Sequence, residues 1–244
     1  MKMLKEDFIN HLIKKAKNNN IVLSNKQAEK LYTYKELLLE WNEKINLTAI
    51  TEDEDIVLKH FVDSLLCVDY IHEGNKIIDV GTGAGFPGIV LAIYFDGNVK
   101  ITLLDSLNKR IGFLNDVIYK LDLKNIEAIH GRAEEIAHKE EYREKYDIAI
   151  ARAVAPLNIL LEYLSGYVKE QGKCICMKSI SAESELNSAK NAMNILNISL
   201  EQNNIIKLIH NDEEITRQIL VLKKAKNIGS KYPRSYGKIK KMPL

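Results

Sequence analysis

The stretch Lys76-Ile77-Ile78-Asp79-Val80-Gly81-Thr82-Gly83-Ala84-Gly85-Phe86-Pro87-Gly88 decides the fold of this 244-residue chain. Lys76 to Val80 is short, apolar and rich in β-branched residues, which predicts a buried strand. Gly81, Gly83 and Gly85 follow at alternate positions, and then Phe86-Pro87-Gly88-Ile89-Val90-Leu91-Ala92-Ile93. Pro87 suits the first turn of a helix, where its missing N–H is no loss. Strand, glycine turn and helix together bring bare amides and a positive helix terminus against a ligand. Without Cβ atoms, the glycines let that ligand come close. Asp79 is expected to add a carboxylate on the lip of the same crevice.

Two ligands compete for this turn. Gly83-Ala84-Gly85-Phe86-Pro87-Gly88 satisfies the GxGxxG dinucleotide pattern, and Asp105 lies 17 residues after Gly88, near the spacing of a ribose-gripping acid. The acid-first register, Asp79-x-Gly81-x-Gly83-x-Gly85, instead resembles motif I of S-adenosylmethionine-dependent methyltransferases. A carboxylate beside a pyrophosphate is repelled, whereas beside a sulfonium and an ammonium it is welcome. The methyl donor is therefore the favoured ligand, with a nicotinamide-dependent oxidoreductase as the alternative.

Outward from this stretch, strands and helices alternate. Expected strands are Val99–Asp105, Ile126–His130, Asp147–Ala151 and Lys173–Lys178. Helices are expected at Leu107–Leu121, Pro156–Val168 and Glu183–Asn197, with a charged helical stretch before Asp147. Alternation implies a parallel sheet. Ile205–His210 and Ile215–Lys223 are joined by too short a polar connection for a crossover, so that pair is expected to be antiparallel. The fold class is α/β: a Rossmann-like methyltransferase fold, mostly parallel, ending in an antiparallel hairpin. Residues 1–74 read as a helical cap. Phe8, Leu12 and their neighbours recur at helical spacing; Ser24 caps a helix carrying Ala28, Leu31, Tyr34, Leu38 and Trp41 on one side. A further helix is expected from about Glu52 through Ile71. Residues 75–224 then form the donor-binding domain and residues 225–244 a basic tail.

The tail is marked by charge. From Lys223 to Leu244 there are eight Lys or Arg and no acid, while the remainder carries 27 bases against 33 acids. With Tyr232 and Tyr236 among those cations, the tail is a candidate RNA contact through Lys231, Tyr232, Arg234, Lys238, Lys240 and Lys241. The three cysteines, Cys67, Cys174 and Cys176, have no zinc-ligand spacing and fit a reducing cytoplasm. The histidines have no metal spacing either, and His60 and His130 read as structural or surface residues. No apolar run approaches a membrane span, and the charged start lacks a signal-peptide pattern.

Ligands of an open α/β sheet bind beyond the carboxyl ends of its strands. There lie Asp105 with Ser106, suited to a ribose diol; Ala133-Glu134, where an adenine edge would lie; Arg152; and Lys178. The candidate donor-binding set is Asp79, Gly81, Thr82, Gly83, Gly85, Phe86, Asp105, Ser106, Ala133, Glu134 and Arg152.

These segments, with Trp41 to Ile50, His60-Phe61-Val62-Asp63-Ser64-Leu65, Leu104 to Lys109, Gly131 to Glu135, Ala151-Arg152-Ala153-Val154-Ala155 and Lys231-Tyr232-Pro233-Arg234, resemble in order the bacterial small-subunit ribosomal RNA methyltransferase G family, also called glucose-inhibited division protein B. After Arg234 the family commonly continues with a Gly-Thr-Pro turn, where this chain has Gly237-Lys238-Ile239. The resemblance implies S-adenosylmethionine-dependent methylation of N7 of the guanine numbered 527 in a hairpin of 16S rRNA. It also implies donor contacts from Gly81, Phe86, Ala133, Glu134 and Arg152. N7 of guanine has an in-plane lone pair and no proton, so no catalytic base is expected. In-line positioning remains, with Arg152 and Lys178 as candidate positioning groups for phosphate, guanine O6 or the donor. A monomer without metal is expected, acting on rRNA of the small subunit. The rivals are a methyltransferase of another RNA or small molecule and a non-enzymatic rRNA-binding protein.

Overall fold

The structure is a computed structural model that describes residues 2–179, 182–210 and 213–244, without the side chains of residues 182 and 183. Helix α1 (Lys5–Lys17) buries Phe8, Leu12 and Ala16. Helix α2 (Asn25–Ile45) starts at Ser24 in a capping box: the Ser24 hydroxyl accepts from the Gln27 N–H and the Gln27 side chain accepts from the Ser24 N–H. Ala28, Leu31, Tyr34 and Leu38 are buried along it, while Trp41, half-buried, donates to Asp116 across 2.8 Å.

The single helix expected from Glu52 to Ile71 is instead broken. It consists of α3 (Asp53–Asp55), a π-helical turn (Ile56–Val62), α4 (Asp63–Leu65) and a 3-10 turn (Val68–Tyr70). Within the widened turn the Lys59 carbonyl accepts a 2.9 Å bond from Arg152 Nη1. A side chain that competes for the helical ladder in this way is a recognised cause of such a break.

The α/β part then runs β1 (Lys76–Val80), α5 (Gly88–Phe95), β2 (Lys100–Asp105), α6 (Asn108–Lys120), β3 (Ile126–His130), α7 (Ala133–Ile136), β4 (Tyr146–Arg152), α8 (Leu157–Ser165), β5 (Val168–Lys178), α9 (Ala182–Ser188), α10 (Lys190–Ile195), β6 (Ile198–His210), β7 (Glu213–Lys224) and α11 (Tyr236–Lys241). One seven-stranded sheet has the order β3-β2-β1-β4-β5-β7-β6. Its first five members pair in parallel, and β7 is antiparallel to both β5 and β6. Residues 211–212 of the expected polar connection lie outside the described residues. Between β3 and β4 only the one-turn α7 forms, and the helix expected over 183–197 is divided between α9 and α10.

Side chains on the two sheet faces build two cores. One joins Phe8, Tyr34 and Phe61 of the N-terminal helices to Ile89, Phe113 and the sheet. The other joins Leu160 and Leu164 of α8 to Cys174, Leu220 and, from the last segment, Ile228 and Tyr232. Tail residues thus belong to a core, which a loose basic tail would not do.

Candidate active site

The glycine turn is held from beneath. Asp79 is fully buried, with Oδ2 accepting from Thr82 Oγ1 at 2.6 Å and from the Gly88 N–H at 2.8 Å. Its Oδ1 has no hydrogen-bond partner among the described residues. Burial pushes its carboxyl up to about 6, against the bonds from Thr82 and Gly88. Asp79 is therefore not on the lip of the crevice: it stitches the turn to the start of α5. A Cβ on Gly88 would stand 2.2 Å from Leu103 Cδ2, which explains that glycine as close packing. Gly83 is different. Its φ is +63°, and a Cβ there would meet nothing within 4 Å, so the turn leaves open space on that side. From the cap, Tyr34, buried among Phe61, Phe86 and Phe113, donates its hydroxyl to the Ala84 carbonyl.

Beyond the carboxyl ends of β1, β2 and β4 opens a cavity of about 740 Å³. Gly81, Asp105, Ser106, Ala133 and Glu134 of the expected set line it. Asp105 is nearly enclosed: Oδ2 accepts from the Gly83 N–H (2.9 Å) and Arg110 Nη1 (3.1 Å), and Oδ1 from the Leu107 N–H (2.9 Å). A carboxylate has about four acceptor positions, so it retains one for a ligand hydroxyl.

Asp79, Thr82, Gly83, Gly85, Phe86 and Arg152 are not among the residues lining this cavity. Thr82 is buried against Asp79, and the Phe86 ring is stacked on His60 at 4.2 Å. Arg110 and Tyr163, absent from the expected set, also line it, as do Tyr236 and Lys240, which were expected in an RNA-facing tail. Arg110 follows Asp105 by five residues at the head of α6 and could have been found from that spacing. For Tyr236 and Lys240 no local signal exists, because α11 returns to the cavity from the far end of the chain.

A second cavity, of about 560 Å³, adjoins the first, and both are walled by Ala153, Val154, Ala155 and Pro156. Ala153 has φ +56°, a left-handed turn directly after Arg152. Arg152 lines the second cavity, not the first, and is heavily engaged: Nη1 donates to the Lys59 carbonyl and to Asp63 Oδ2 (2.8 Å), and its guanidinium sits 5.0 Å over the Phe86 ring. Asp63, in turn, accepts from Arg217 Nε through Oδ1 at 2.8 Å. The sequence reading found neither Asp63 as the centre of this triad nor Arg217, which lies 154 positions away.

Lys178 is committed as well. Its Nζ donates to the Ala155 carbonyl at 2.6 Å and pairs with Glu185 at 2.7 Å, so it braces the shared wall instead of standing free for phosphate. His60 is buried, as the reading of it as structural requires. Desolvation, helped by the Arg152 charge, pushes its ring down to about 3, and it stays neutral.

In the last segment, two residues of the expected RNA-contact set have partners within the fold. Tyr232 is buried in the second core, and Arg234 clamps the fully buried Glu162: its backbone N–H and Nε donate to Oε1 (2.8 Å each) and Nη2 to Oε2 (2.7 Å). Both therefore act as packing and anchoring groups within the fold. Lys231, Lys238, Lys240 and Lys241 are exposed, and α11 is fixed by the buried Ile239. Tyr236 and Lys240 of this segment also line the first cavity.

Among the described residues no helix is long and apolar enough to cross a membrane. Nor does any cluster of His, Cys, Asp and Glu there suit a metal ion.

Comparison with known proteins agrees with this architecture. Residues 27–216 match the family model described as rRNA small subunit methyltransferase G. The chain is 48% identical over 224 residues to "Ribosomal RNA small subunit methyltransferase G" of Alkaliphilus metalliredigens, covering 91% of this chain and 92% of that protein. It is 45% identical over 240 residues to the protein of that name from Clostridium botulinum, covering 98% and 99%. Among solved structures, a SAM-dependent methyltransferase from Aquifex aeolicus superposes with a TM-score of 0.51 at 15% identity, over 70% of this chain and 93% of that one. M. jannaschii TYW2, solved in complex with AdoMet, superposes with a TM-score of 0.50 at 16% identity, over 64% and 70%. The two structures share the Rossmann-like fold, and the sequence matches decide the family: this chain belongs to the rRNA small subunit methyltransferase G family.

Proposed function

We propose that the protein transfers a methyl group from S-adenosylmethionine to N7 of guanine 527 of 16S rRNA in the small ribosomal subunit, acting as a cytoplasmic monomer. One observation carries the reading: two cavities meet along the single wall Ala153–Pro156 at the carboxyl edge of the sheet. A transfer between two bound partners needs such an arrangement, because positioning of the reacting atoms is most of the catalysis available.

The first cavity fits the donor. Asp105 keeps an acceptor position for a ribose hydroxyl, and Glu134 supplies a second carboxylate. Gly81 and Ser106 complete this side, while Asp79, Thr82, Gly85 and Phe86 hold the turn that shapes it. Bound there, S-adenosylmethionine supplies an electrophilic methyl on a sulfonium that departs as a neutral thioether. The acceptor N7 carries no proton, so the protein need not remove one. Lys178, itself paired with Glu185, donates to the Ala155 carbonyl and holds the wall in place. Lys231, Lys238, Lys240 and Lys241 offer exposed cations to rRNA phosphates.

The test is methyl transfer from tritiated donor to small subunits carrying unmodified or already methylated rRNA. Incorporation into the unmodified subunits alone, mapped to N7 of that guanine, is expected. Equal labelling of both, or none, overturns the assignment.

A further inference from the structure

The geometry points to the second cavity as the pocket of the acceptor purine, with Arg217 donating to its O6; this rests on the methyl-transfer reading above. The cavity has apolar walls suited to the faces of a base, in Ile50, Val154, Met177 and Ile219. Four cations also line it, and three of them are already committed. Lys59 pairs with Asp55 at 2.8 Å. Lys178 is held by Glu185 and the Ala155 carbonyl. Arg152 is engaged by Asp63, the Lys59 carbonyl and, through Nη2, His60 Nδ1 at 3.3 Å.

Arg217 differs from the others. Asp63 takes its Nε–H and the Thr216 carbonyl one Nη1–H, at 3.3 Å, while Nη2 has no partner among the described residues. A guanidinium has five N–H donors, so three remain. Asp63, locked between Arg152 and Arg217, sets the direction of that fork.

The purine edge that carries N7 explains why this matters. On guanine the neighbour of N7 is O6, an acceptor; on adenine it is an amino group, a donor. A fixed guanidinium edge beside that neighbour accepts guanine and opposes adenine. It also leaves the N7 lone pair free, provided the donation goes to O6 alone. Arg217 is thus a positioning and specificity residue, and no proton moves through it.

The test is a cycle that alters protein and base together. Small subunits are reconstituted with 16S rRNA bearing guanine or 2-aminopurine at the target; the latter keeps N7 and lacks O6. Wild type, Arg217→Ala and Arg217→Lys are compared in single-turnover methyl transfer, with donor affinity by calorimetry and melting temperature as controls. Loss of one good charged contact to a base edge corresponds to about 10- to 100-fold in rate. Wild type is expected to lose that factor on 2-aminopurine. Arg217→Ala is expected to lose it on guanine and little more on 2-aminopurine, with donor affinity within about twofold. Arg217→Lys, which keeps charge but not the planar fork, should fall between. If the losses from Arg217→Ala and from 2-aminopurine multiply, Arg217 does not read O6 and the inference is wrong. Failure of wild type to bind the donor or to methylate the guanine substrate would instead overturn the methyl-transfer reading itself.

Discussion

Replacing Arg234 by alanine separates an anchoring role from an RNA-contacting one. Three bonds end at the Glu162 carboxylate, which is fully buried, and all three come from Arg234. In Arg234→Ala the backbone N–H remains, but the charge does not. Leaving one member of a buried pair uncompensated costs about 3–5 kcal/mol. Because Arg234 keeps 19% of its side chain exposed, the lower end applies, about 3 kcal/mol. For a chain of this size that corresponds to roughly 6–12 °C in Tm. Differential scanning calorimetry reads it directly. Glu162→Gln in the Arg234→Ala background should recover part of the loss, since a neutral amide is easier to bury than an unpaired carboxylate. The donor should also bind less tightly, because α11 brings Tyr236 and Lys240 to its cavity. If Tm moves by under about 2 °C while the salt dependence of subunit binding flattens by about one contact, Arg234 is a phosphate ligand and the anchoring argument is wrong.

Other perturbations test the remaining assignments. Replacing Lys238, Lys240 and Lys241 together by alanine should weaken subunit binding and flatten the slope of log affinity against log salt by roughly 0.7–0.9 per lost phosphate contact, with Tm nearly unchanged. Gly83→Ala should cost about 1–2 kcal/mol of stability, because its φ is +63°, and weaken donor binding measured by calorimetry. Single-turnover methyl transfer should stay flat between about pH 7 and 9; a log-linear rise would reveal a base that this mechanism lacks. The fold accommodates only the neutral His60 ring, with its pKa near 3 against an ordinary value of 6.5. That share of stability is complete above pH 6.5 and drains as pH falls from there toward 3. Against His60→Phe, wild type should lose up to about 1.4 kcal/mol more per pH unit below pH 6 in urea titrations, and parallel curves would refute the assignment.

The fold was legible where a physical pattern is local. The β-branched run before Gly81, the Ser24 cap and the stripe Ala28, Leu31, Tyr34, Leu38 each state their structure within a few residues. The division of the helix after Glu52 was not legible, since it answers to Arg152, which lies 93 positions from Lys59. Within the site, Asp105, Ser106 and Ala133-Glu134 were legible because strand ends converge on one edge. Asp79 and Arg152 were placed on the correct edge, but whether a side chain faces a cavity or the packing beneath it depends on neighbours remote in sequence. Net charge misled for the last segment: it records eight cations but not that Lys224 is buried on Glu144 or that Arg234 is bound to the buried Glu162.

The hydroxyl of Tyr34 on the Ala84 carbonyl has a consequence for how the chain assembles. In an α/β unit the loop after the first strand is commonly specified by the strand and helix that flank it. Here its peptide is gripped by a residue made fifty positions earlier. During synthesis the α2 segment therefore emerges before its partner exists, and its aromatic face must wait for β1 and α5. The glycine turn is thus completed by a contact that is non-local in sequence. A substitution at Tyr34 should slow refolding more than its distance from the cavities suggests.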